Sequence, residues 1–158
     1  DHVNIDIAAE HMIDSGFEKL LEDHKFMPLS KSYLLIEMSY LQASINFNES
    51  VKLISENSLF PIFAHPERYA YLHNHWKQYK KLKGKGLLFQ LNMLSLSDYY
   101  GKEVNQAANW LLKNNLIDFI ASDVHKISQL NSLKKISINE KTLMLIKPII
   151  EKTIYNFK

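Results

Sequence analysis

The chain contains no cysteine, and this absence removes several kinds of chemistry at once. Disulfides, thiolate metal sites and cysteine nucleophiles are excluded, so any hydrolysis must use a metal ion, a carboxylate or a hydroxyl. Only four glycines are present, and they form no glycine-rich loop of the kind that binds phosphate. Seven histidines are many for 158 residues. Their positions are therefore the first guide to function.

Strong charge and long hydrophobic runs are also lacking. The formal net charge of +2 is too small to favour a nucleic acid or a membrane surface as partner. No apolar run approaches the roughly 20 residues that cross a bilayer, and the start "DHVNIDIAAE" does not resemble a signal peptide. With 46% hydrophobic residues, the chain is long enough for one globular domain. We expect a cytoplasmic protein that binds no nucleic acid and inserts into no membrane.

Short apolar runs alternate with amphipathic segments along the chain. The apolar runs have the length and the polar boundaries of buried strands, and the segments between them have apolar residues at helical spacing. This alternation is typical of a parallel α/β fold, either an open sheet or part of a barrel. Strands are predicted at residues 3–9, 33–36, 61–64, 87–91 and 117–121. Helices are predicted at 48–57, 68–83, 102–115 and 139–157, the last kinked or divided by Pro148.

Residues that can bind metal follow four of the predicted strands. Glu10, Glu37 and His65 each come directly after an apolar run, and Asp123 and His125 follow the last one. In a parallel sheet or barrel, the carboxyl ends of the strands meet on one face. Histidine nitrogen combined with carboxylate oxygen suits Mn²⁺, Fe²⁺ or Zn²⁺ better than Ca²⁺. The pattern predicts a metal site on this face.

Arg68 lies three residues beyond His65 and is a candidate phosphate ligand. Its guanidinium group can hold two phosphate oxygens at once, and metal ions beside it would favour hydrolysis of a phosphate ester. The simpler interpretation is that Arg68 forms a salt bridge with Glu67 or Glu103. A carboxylate or histidine at a strand end can likewise be a helix cap or a solvated group, although four such positions together are harder to explain that way.

The first position in the set is the weakest. Asp6 or Asp14 could point into the site in place of Glu10, and His11 could flank it. The "HNH" sequence at residues 73–75 resembles a chelate. Within the predicted helix, however, its histidines would point in different directions, which indicates surface groups.

Four stretches together resemble one family. "AAEHMID", "LLIEMSY", "FAHPERY" and "IASDVH", in this order, are similar to the tyrosine phosphatases of bacterial capsule and exopolysaccharide clusters, within the polymerase and histidinol phosphatase (PHP) superfamily. The resemblance runs from residue 3 to about residue 133. It implies a distorted seven-stranded α/β barrel, incomplete here with about five strands, and a multinuclear centre, usually of manganese. The implied metal ligands are Glu10, Glu37, His65, Asp123 and His125, and Arg68 is the implied contact to the substrate phosphate.

The chain departs from the family pattern in two places. Relatives begin with a strand that carries a His-x-His pair, and a later strand adds another histidine; neither occurs upstream of Glu10. Residues 1–158 are therefore expected to form the C-terminal two-thirds of a single phosphatase domain, with an incomplete metal centre. The second departure is an arginine that relatives often carry after "SDVH". Lys126 could substitute in substrate binding, but a point charge does not reproduce a guanidinium fork.

The resemblance implies a metal-dependent phosphatase that acts on the phosphotyrosine tail of a bacterial tyrosine kinase controlling polysaccharide export. Two alternatives stay open. One is a phosphoesterase for a small ester such as histidinol phosphate, and the other is a scaffold that binds phosphotyrosine without hydrolysing it. A barrel with missing strands has an open edge. We expect this edge to pair with a second copy of the chain or with the N-terminal segment of the domain.

Overall fold

The sheet of this protein contains five parallel strands, seen in a computed structural model that describes residues 5–30 and 32–157. Each strand pairs with the next one along the chain, in the order β1-β2-β3-β4-β5. Within the described residues the sheet stays open, because β1 and β5 do not pair with each other. The strands are β1 (Glu10–Met12), β2 (Tyr33–Glu37), β3 (Phe60–Ala64), β4 (Leu88–Asn92) and β5 (Phe119–Ala121).

Six α-helices occur within the described ranges. They are α1 (Phe17–Glu22), α2 (Phe47–Glu56), α3 (Trp76–Gly84), α4 (Lys102–Lys113), α5 (Ile127–Leu133) and α6 (Glu140–Asn156). The predictions for α2 and α4 are confirmed to within two residues, whereas the short helices α1 and α5 were not predicted. None of the helices in the described part of the chain has the length and apolar character needed to span a bilayer.

The core surrounds the two strands in the middle of the sheet. In β3, Ile62 and Phe63 point to opposite faces of the sheet and both are fully buried. Phe89 and Leu91 of β4 are fully buried as well. Burial on both faces explains why β3 is a continuous apolar run in the sequence. In β4, buried and half-buried residues alternate, and Gln90 is one of the half-buried residues. Polar residues begin at the carboxyl ends of both strands.

The predicted first strand is wrong in position. Residues 3 and 4 of the predicted range 3–9 lie outside the described residues, and Ile5 and Ile7 are 86% and 73% exposed. Pairing with β2 starts only at Glu10, which lies opposite Leu35. The alternating apolar pattern before it therefore reflects no sheet contact in the described residues. Glu10 begins the strand instead of following it.

The predicted helix at 68–83 is also wrong over its first half. The segment forms two 3₁₀ turns, Pro66–Arg68 and Ala70–Leu72, and a regular helix begins only at Trp76. Between the turns, Tyr69 is extended and fully buried, with its ring stacked on Phe63 at a centroid distance of 4.8 Å. The aromatic spacing that indicated one helical face comes from separate elements that pack on the same core.

Two smaller expectations also change. The "HNH" histidines lie before α3 and not within a helix; His75 is exposed, but His73 is half-buried and its Nε2 donates to the Glu67 carbonyl oxygen (2.7 Å). Pro148 does not divide the last helix, since α6 is continuous through it. Contacts with the sheet hold the helix beyond the proline, where Thr153 Oγ1 accepts a hydrogen bond from the Ile120 backbone N–H (3.1 Å).

Candidate active site

The carboxyl ends of the strands surround one cavity of about 390 Å³. Glu37 is the last residue of β2, His65 directly follows β3, and Asp123 lies two residues beyond β5. The parallel arrangement brings these distant parts of the sequence to the same place. All seven residues singled out from the sequence line this cavity, together with Tyr40 and Gln129: Glu10, Glu37, His65, Arg68, Asp123, His125 and Lys126.

In one half of the site, two partly exposed carboxylates lie beside a buried imidazole. His65 Nε2 lies 3.2 Å from Glu10 Oε1 and 3.5 Å from Glu37 Oε2, and only 3% of its side chain is exposed. Burial acts to lower the pKa of His65, but the hydrogen bonds to the two carboxylates outweigh it and raise the pKa to about 9. Burial likewise acts to raise the pKa of Glu10, yet its hydrogen bond with His65 holds that pKa below the usual range.

The other half is built around Asp123. Its Oδ2 accepts hydrogen bonds from Arg68 Nη1 (3.1 Å) and from Asn92 Nδ2 (2.7 Å). Its Oδ1 lies 3.5 Å from Nδ1 of His125, whose side chain is 71% exposed. Arg68 thus forms its salt bridge with a carboxylate of the site and not with Glu67 or Glu103. The pair places a guanidinium group beside the candidate metal ligands.

The donor atoms meet the geometric requirement for metal binding in two overlapping groups. Ligand atoms of Glu10, Glu37 and His65 lie within 4.8 Å of one another, and the same holds for Glu10, Asp123 and His125. Glu10 belongs to both groups, so it lies where a carboxylate could bridge two ions. Nitrogen and carboxylate donors in these proportions suit Mn²⁺, Fe²⁺ or Zn²⁺. The residues present therefore fit a divalent metal, and the metal role remains a prediction for each of them.

Two of the candidate ligands have an unusual backbone conformation. His65 has φ 33° and Asp123 has φ 49°, both in the left-handed region. This region is unfavourable for residues other than glycine and is enriched at functional sites. Each residue follows the apolar part of a strand, where the chain turns sharply. The strain therefore coincides with the points at which the sheet delivers a side chain to the cavity.

Several residues of the site were not found from the sequence. Asn92 ends β4 and holds Asp123, and the strand-end rule used for the other strands would have identified it. Gln129 is buried in α5 and bridges two loops, because its Oε1 accepts from the His125 backbone N–H (2.9 Å) and its Nε2 donates to the Tyr100 hydroxyl (3.3 Å). No local sequence pattern predicts the contacts of Gln129, because they form only when the folded chain brings the two loops together.

Glu67 is a fully buried carboxyl group below the site. Its Oε1 accepts hydrogen bonds from the Asn92 backbone N–H (3.1 Å) and from Ser95 Oγ (2.7 Å), and burial raises its pKa. Among the described residues, Glu67 Oε2 and His65 Nδ1 are buried without a hydrogen-bond partner. Each such atom costs about 1–3 kcal/mol of stability. The segment that carries His65 and Arg68 is therefore not optimised for stability alone.

The remaining candidates lie outside the cavity. His11 is buried, with Nδ1 donating to the Leu35 carbonyl (3.2 Å) and Nε2 accepting from the Met27 N–H (3.3 Å). Asp6 and Asp14 accept hydrogen bonds from backbone N–H groups close to them in sequence. Glu10 is the carboxylate of this region that reaches the cavity.

Comparison with known proteins gives a consistent result. A family model described as capsular polysaccharide synthesis, CpsB/CapC, matches residues 1–141. Over 157 residues the chain is 28% identical to a putative tyrosine-protein phosphatase, CapC, of Staphylococcus aureus; the match covers 99% of this chain and 62% of CapC. It is also 28% identical over 113 residues to the tyrosine-protein phosphatase CpsB of Streptococcus pneumoniae, which covers 68% of this chain and 46% of CpsB.

A solved structure supports the fold. It is described with YwqE from Bacillus subtilis and CpsB from Streptococcus pneumoniae, as metal-dependent tyrosine phosphatases, and it matches 96% of this chain with a TM-score of 0.72 and 25% identity. The expected α/β fold is confirmed, as an unclosed five-stranded parallel sheet. The chain spans 64% of that structure's length and less than two thirds of the curated relatives it matches.

Proposed function

Because the chain belongs to the CpsB/CapC family of capsular polysaccharide synthesis, we propose that it takes part in metal-dependent hydrolysis of phosphotyrosine. The proposed substrate is the phosphotyrosine tail of a bacterial tyrosine kinase that controls polysaccharide export in the cytoplasm, and the proposed metal is manganese. One observation carries the proposal: Arg68, held by Asp123, lies in the same cavity as the two groups of candidate metal ligands. A phosphate bound there would contact both.

Each half of the site has its own task in this proposal. Glu10, Glu37 and His65 would hold metal beside the buried imidazole, and Asp123 and His125 would hold it where His125 is exposed. When bound, divalent ions supply a Lewis acid for phosphoryl oxygens and lower the pKa of water. Arg68 binds two oxygens of the phosphate and stabilises the negative charge that they gain in the transition state. For these tasks the carboxylates must be ionised and the histidine nitrogens that face the metal must be free of protons.

Asp123 contributes more than one contact. Its Oδ2 is occupied by Arg68 and Asn92, which leaves Oδ1 facing His125. The carboxylate therefore couples the metal ligands to the phosphate ligand. Lys126 lines the same wall and adds positive charge near the bound phosphate. The open side of the cavity, where His125 is largely exposed, suits a phosphorylated peptide better than an enclosed small ester.

The proposal is tested by phosphate release from a phosphotyrosyl peptide, with and without Mn²⁺ and with a chelator added to the manganese sample. We expect release that depends on manganese and is lost in Asp123→Ala. Asp98→Ala is the matched control, because Asp98 is exposed and does not line the cavity. Calorimetric titration of the same variants with Mn²⁺ provides a second readout. Wild-type release by Asp123→Ala, or undiminished manganese binding by it, would overturn the site assignment.

A small phosphate ester is the competing substrate. The same assay with histidinol phosphate in place of the peptide separates the two, because the proposal predicts preference for the phosphotyrosyl peptide. Peptide binding without any phosphate release would instead identify a non-catalytic scaffold.

A further inference from the structure

The guanidinium group of Arg68 lies against two tyrosine rings. Its central carbon is 4.8 Å from the centroid of the Tyr40 ring and 4.3 Å from that of the Tyr100 ring, and it lies over both. Tyr40 belongs to the loop after β2, and Tyr100 ends the 3₁₀ turn Asp98–Tyr100 after β4. Contacts of this kind are attractive because the faces of aromatic rings carry partial negative charge.

The Tyr40 ring is itself fixed to the core. It stacks on the buried Tyr69 with a centroid distance of 5.6 Å, and Tyr69 stacks in turn on Phe63 of β3. At its other end, the Tyr40 hydroxyl lies 3.4 Å from His65 Nε2. The Tyr40 ring is therefore held between Tyr69 on one side and His65 of the site on the other. It is still 39% exposed at the rim of the cavity.

Tyr100 is held by hydrogen bonds. Its hydroxyl accepts from Asn92 Nδ2 (3.4 Å) and from Gln129 Nε2 (3.3 Å), and both of these side chains are buried. Asn92 also donates to Asp123, which pairs with Arg68. The ring and the carboxylate that orient the guanidinium thus share one buried support.

These contacts leave a defined part of Arg68 available. A guanidinium group carries five N–H donors in one plane, and the hydrogen bond to Asp123 is the one that its side chain makes among the residues described. The side chain is 20% exposed and lines the cavity. Two rings lie close to the group and one N–H is bound to Asp123, so the edge that carries its remaining N–H donors is the part that can bind an anion.

We propose that Tyr40 and Tyr100 are positioning residues that orient Arg68 so that its remaining edge binds a phosphate group. The proposal rests on the proposed function only for the choice of phosphate as the anion. A free arginine side chain loses considerable rotamer freedom when it is ordered. The two rings order it before the ligand arrives, which preserves affinity.

The test is a double-mutant cycle on binding of inorganic phosphate, measured by calorimetry with the full chain loaded with Mn²⁺ and repeated with a chelator. We expect Tyr40→Leu and Tyr100→Leu each to weaken phosphate binding by about 2- to 30-fold, the range given by cation–π contacts. Tyr40→Phe keeps the ring and is expected to bind as wild type does. In an Arg68→Ala background, the leucine substitutions should cause no further loss.

The cycle separates positioning from a general structural effect, because a structural defect would lower affinity in both backgrounds. Equal losses in the two backgrounds, or wild-type affinity in Tyr40→Leu, would overturn the proposal. Tyr40 carries the test if Tyr100→Leu does not fold, since Tyr40 is at the rim. Failure of the wild-type chain to bind phosphate would overturn it too. Phosphate binding with the expected coupling but without phosphotyrosine hydrolysis would support the positioning role and contradict the proposed function.

Discussion

The two halves of the candidate site are built in different ways. One half surrounds the buried imidazole of His65, and its carboxylates, Glu10 and Glu37, are supplied by strands of the sheet. The half around Asp123 and His125 lies in a loop after β5, and amide side chains from other elements hold it in place. Backbone pairing in the sheet already fixes the position of a side chain on a strand. A side chain on a loop needs additional hydrogen bonds to be held as precisely. We therefore expect substitutions in the two halves to differ in how far they affect stability as well as binding.

The largest effect is expected in the half of the site around His65. His65→Ala removes a buried donor and leaves Glu10 and Glu37 facing each other without their shared partner, so manganese affinity should fall by at least about 100-fold and the melting temperature should also fall. His125→Ala should lower manganese affinity but leave the melting temperature nearly unchanged, since its side chain is largely exposed. Calorimetry and thermal melts with His75→Ala as control provide the comparison. Equal destabilisation by the two substitutions would contradict it.

The next largest effect is expected from the contacts that support the half of the site around Asp123 and His125. Gln129→Ala removes the acceptor of the His125 backbone N–H and a donor to Tyr100. Loss of such supporting groups typically lowers metal affinity about 10- to 100-fold, and we expect a loss in this range for manganese. Gln78→Ala, on the exposed side of α3, is the matched control. Titration of both variants with Mn²⁺ measures the effect. Unchanged manganese affinity in Gln129→Ala would show that the loop carrying Asp123 and His125 keeps its conformation without Gln129.

Alkaline pH should destabilise the fold through its buried phenol groups, of which Tyr69 is one. Burial raises the pKa of Tyr69, the residue beneath Tyr40 and His65. A phenol whose pKa is higher in the folded state stabilises the fold fully below its unfolded pKa of about 10 and loses this contribution as pH rises further. By pH 11 the wild type should lose about 1.4 kcal/mol relative to Tyr69→Phe.

Urea unfolding at pH 8 and pH 11 measures this difference. Tyr69→Phe loses the acceptor of the Met38 backbone N–H, so it should be less stable than the wild type at pH 8 and should approach it at pH 11. Tyr155→Phe makes the same substitution at an exposed ring and serves as the matched control. A stability gap between wild type and Tyr69→Phe that is independent of pH would rule out the expected linkage.

The smallest effect concerns the sheet edges. β1 and β5 each pair with one neighbour within the described residues, and each contributes to or precedes part of the site. Unpaired strand edges favour association with another chain. We propose weak self-association through these edges, visible as an elution volume that depends on protein concentration. A single sharp monomer peak at all concentrations, with a cooperative melt, would contradict the proposal.

The central part of the fold was predictable from the sequence, and its ends were not. The strands β3 and β4 have boundaries set by the burial of their apolar residues, so the prediction was accurate there. β1 is only three residues long, and the apolar residues before it are exposed. Its position depends on pairing with β2, which no local pattern records. Helix periodicity failed around Tyr69 for a related reason, since separate turns place their aromatic rings on one shared core.

The same distinction applies to the site. Glu37, His65 and Asp123 were identified because strand ends converge in any parallel sheet. Tyr100 and Gln129 were not, since their contacts join loops that are distant in sequence. The rule needed for Asn92 was available but was applied only to charged residues and histidines. The order of strands along the chain is enough to predict that strand ends converge, whereas the residues that support a loop are known only once the packing of the fold is known.

The left-handed backbone at His65 and Asp123 has a consequence for how this sequence can change. At both positions glycine would relieve roughly 1–2 kcal/mol of conformational strain while removing a candidate ligand. Glycine would also lose the contacts that these side chains make with Glu10, Glu37, Arg68 and Asn92. A library selected only for folded protein should therefore admit glycine more often at these two positions than a library selected for metal-dependent activity, which should retain histidine and aspartate. Two backbone angles thus mark the positions at which backbone strain and metal binding favour different residues.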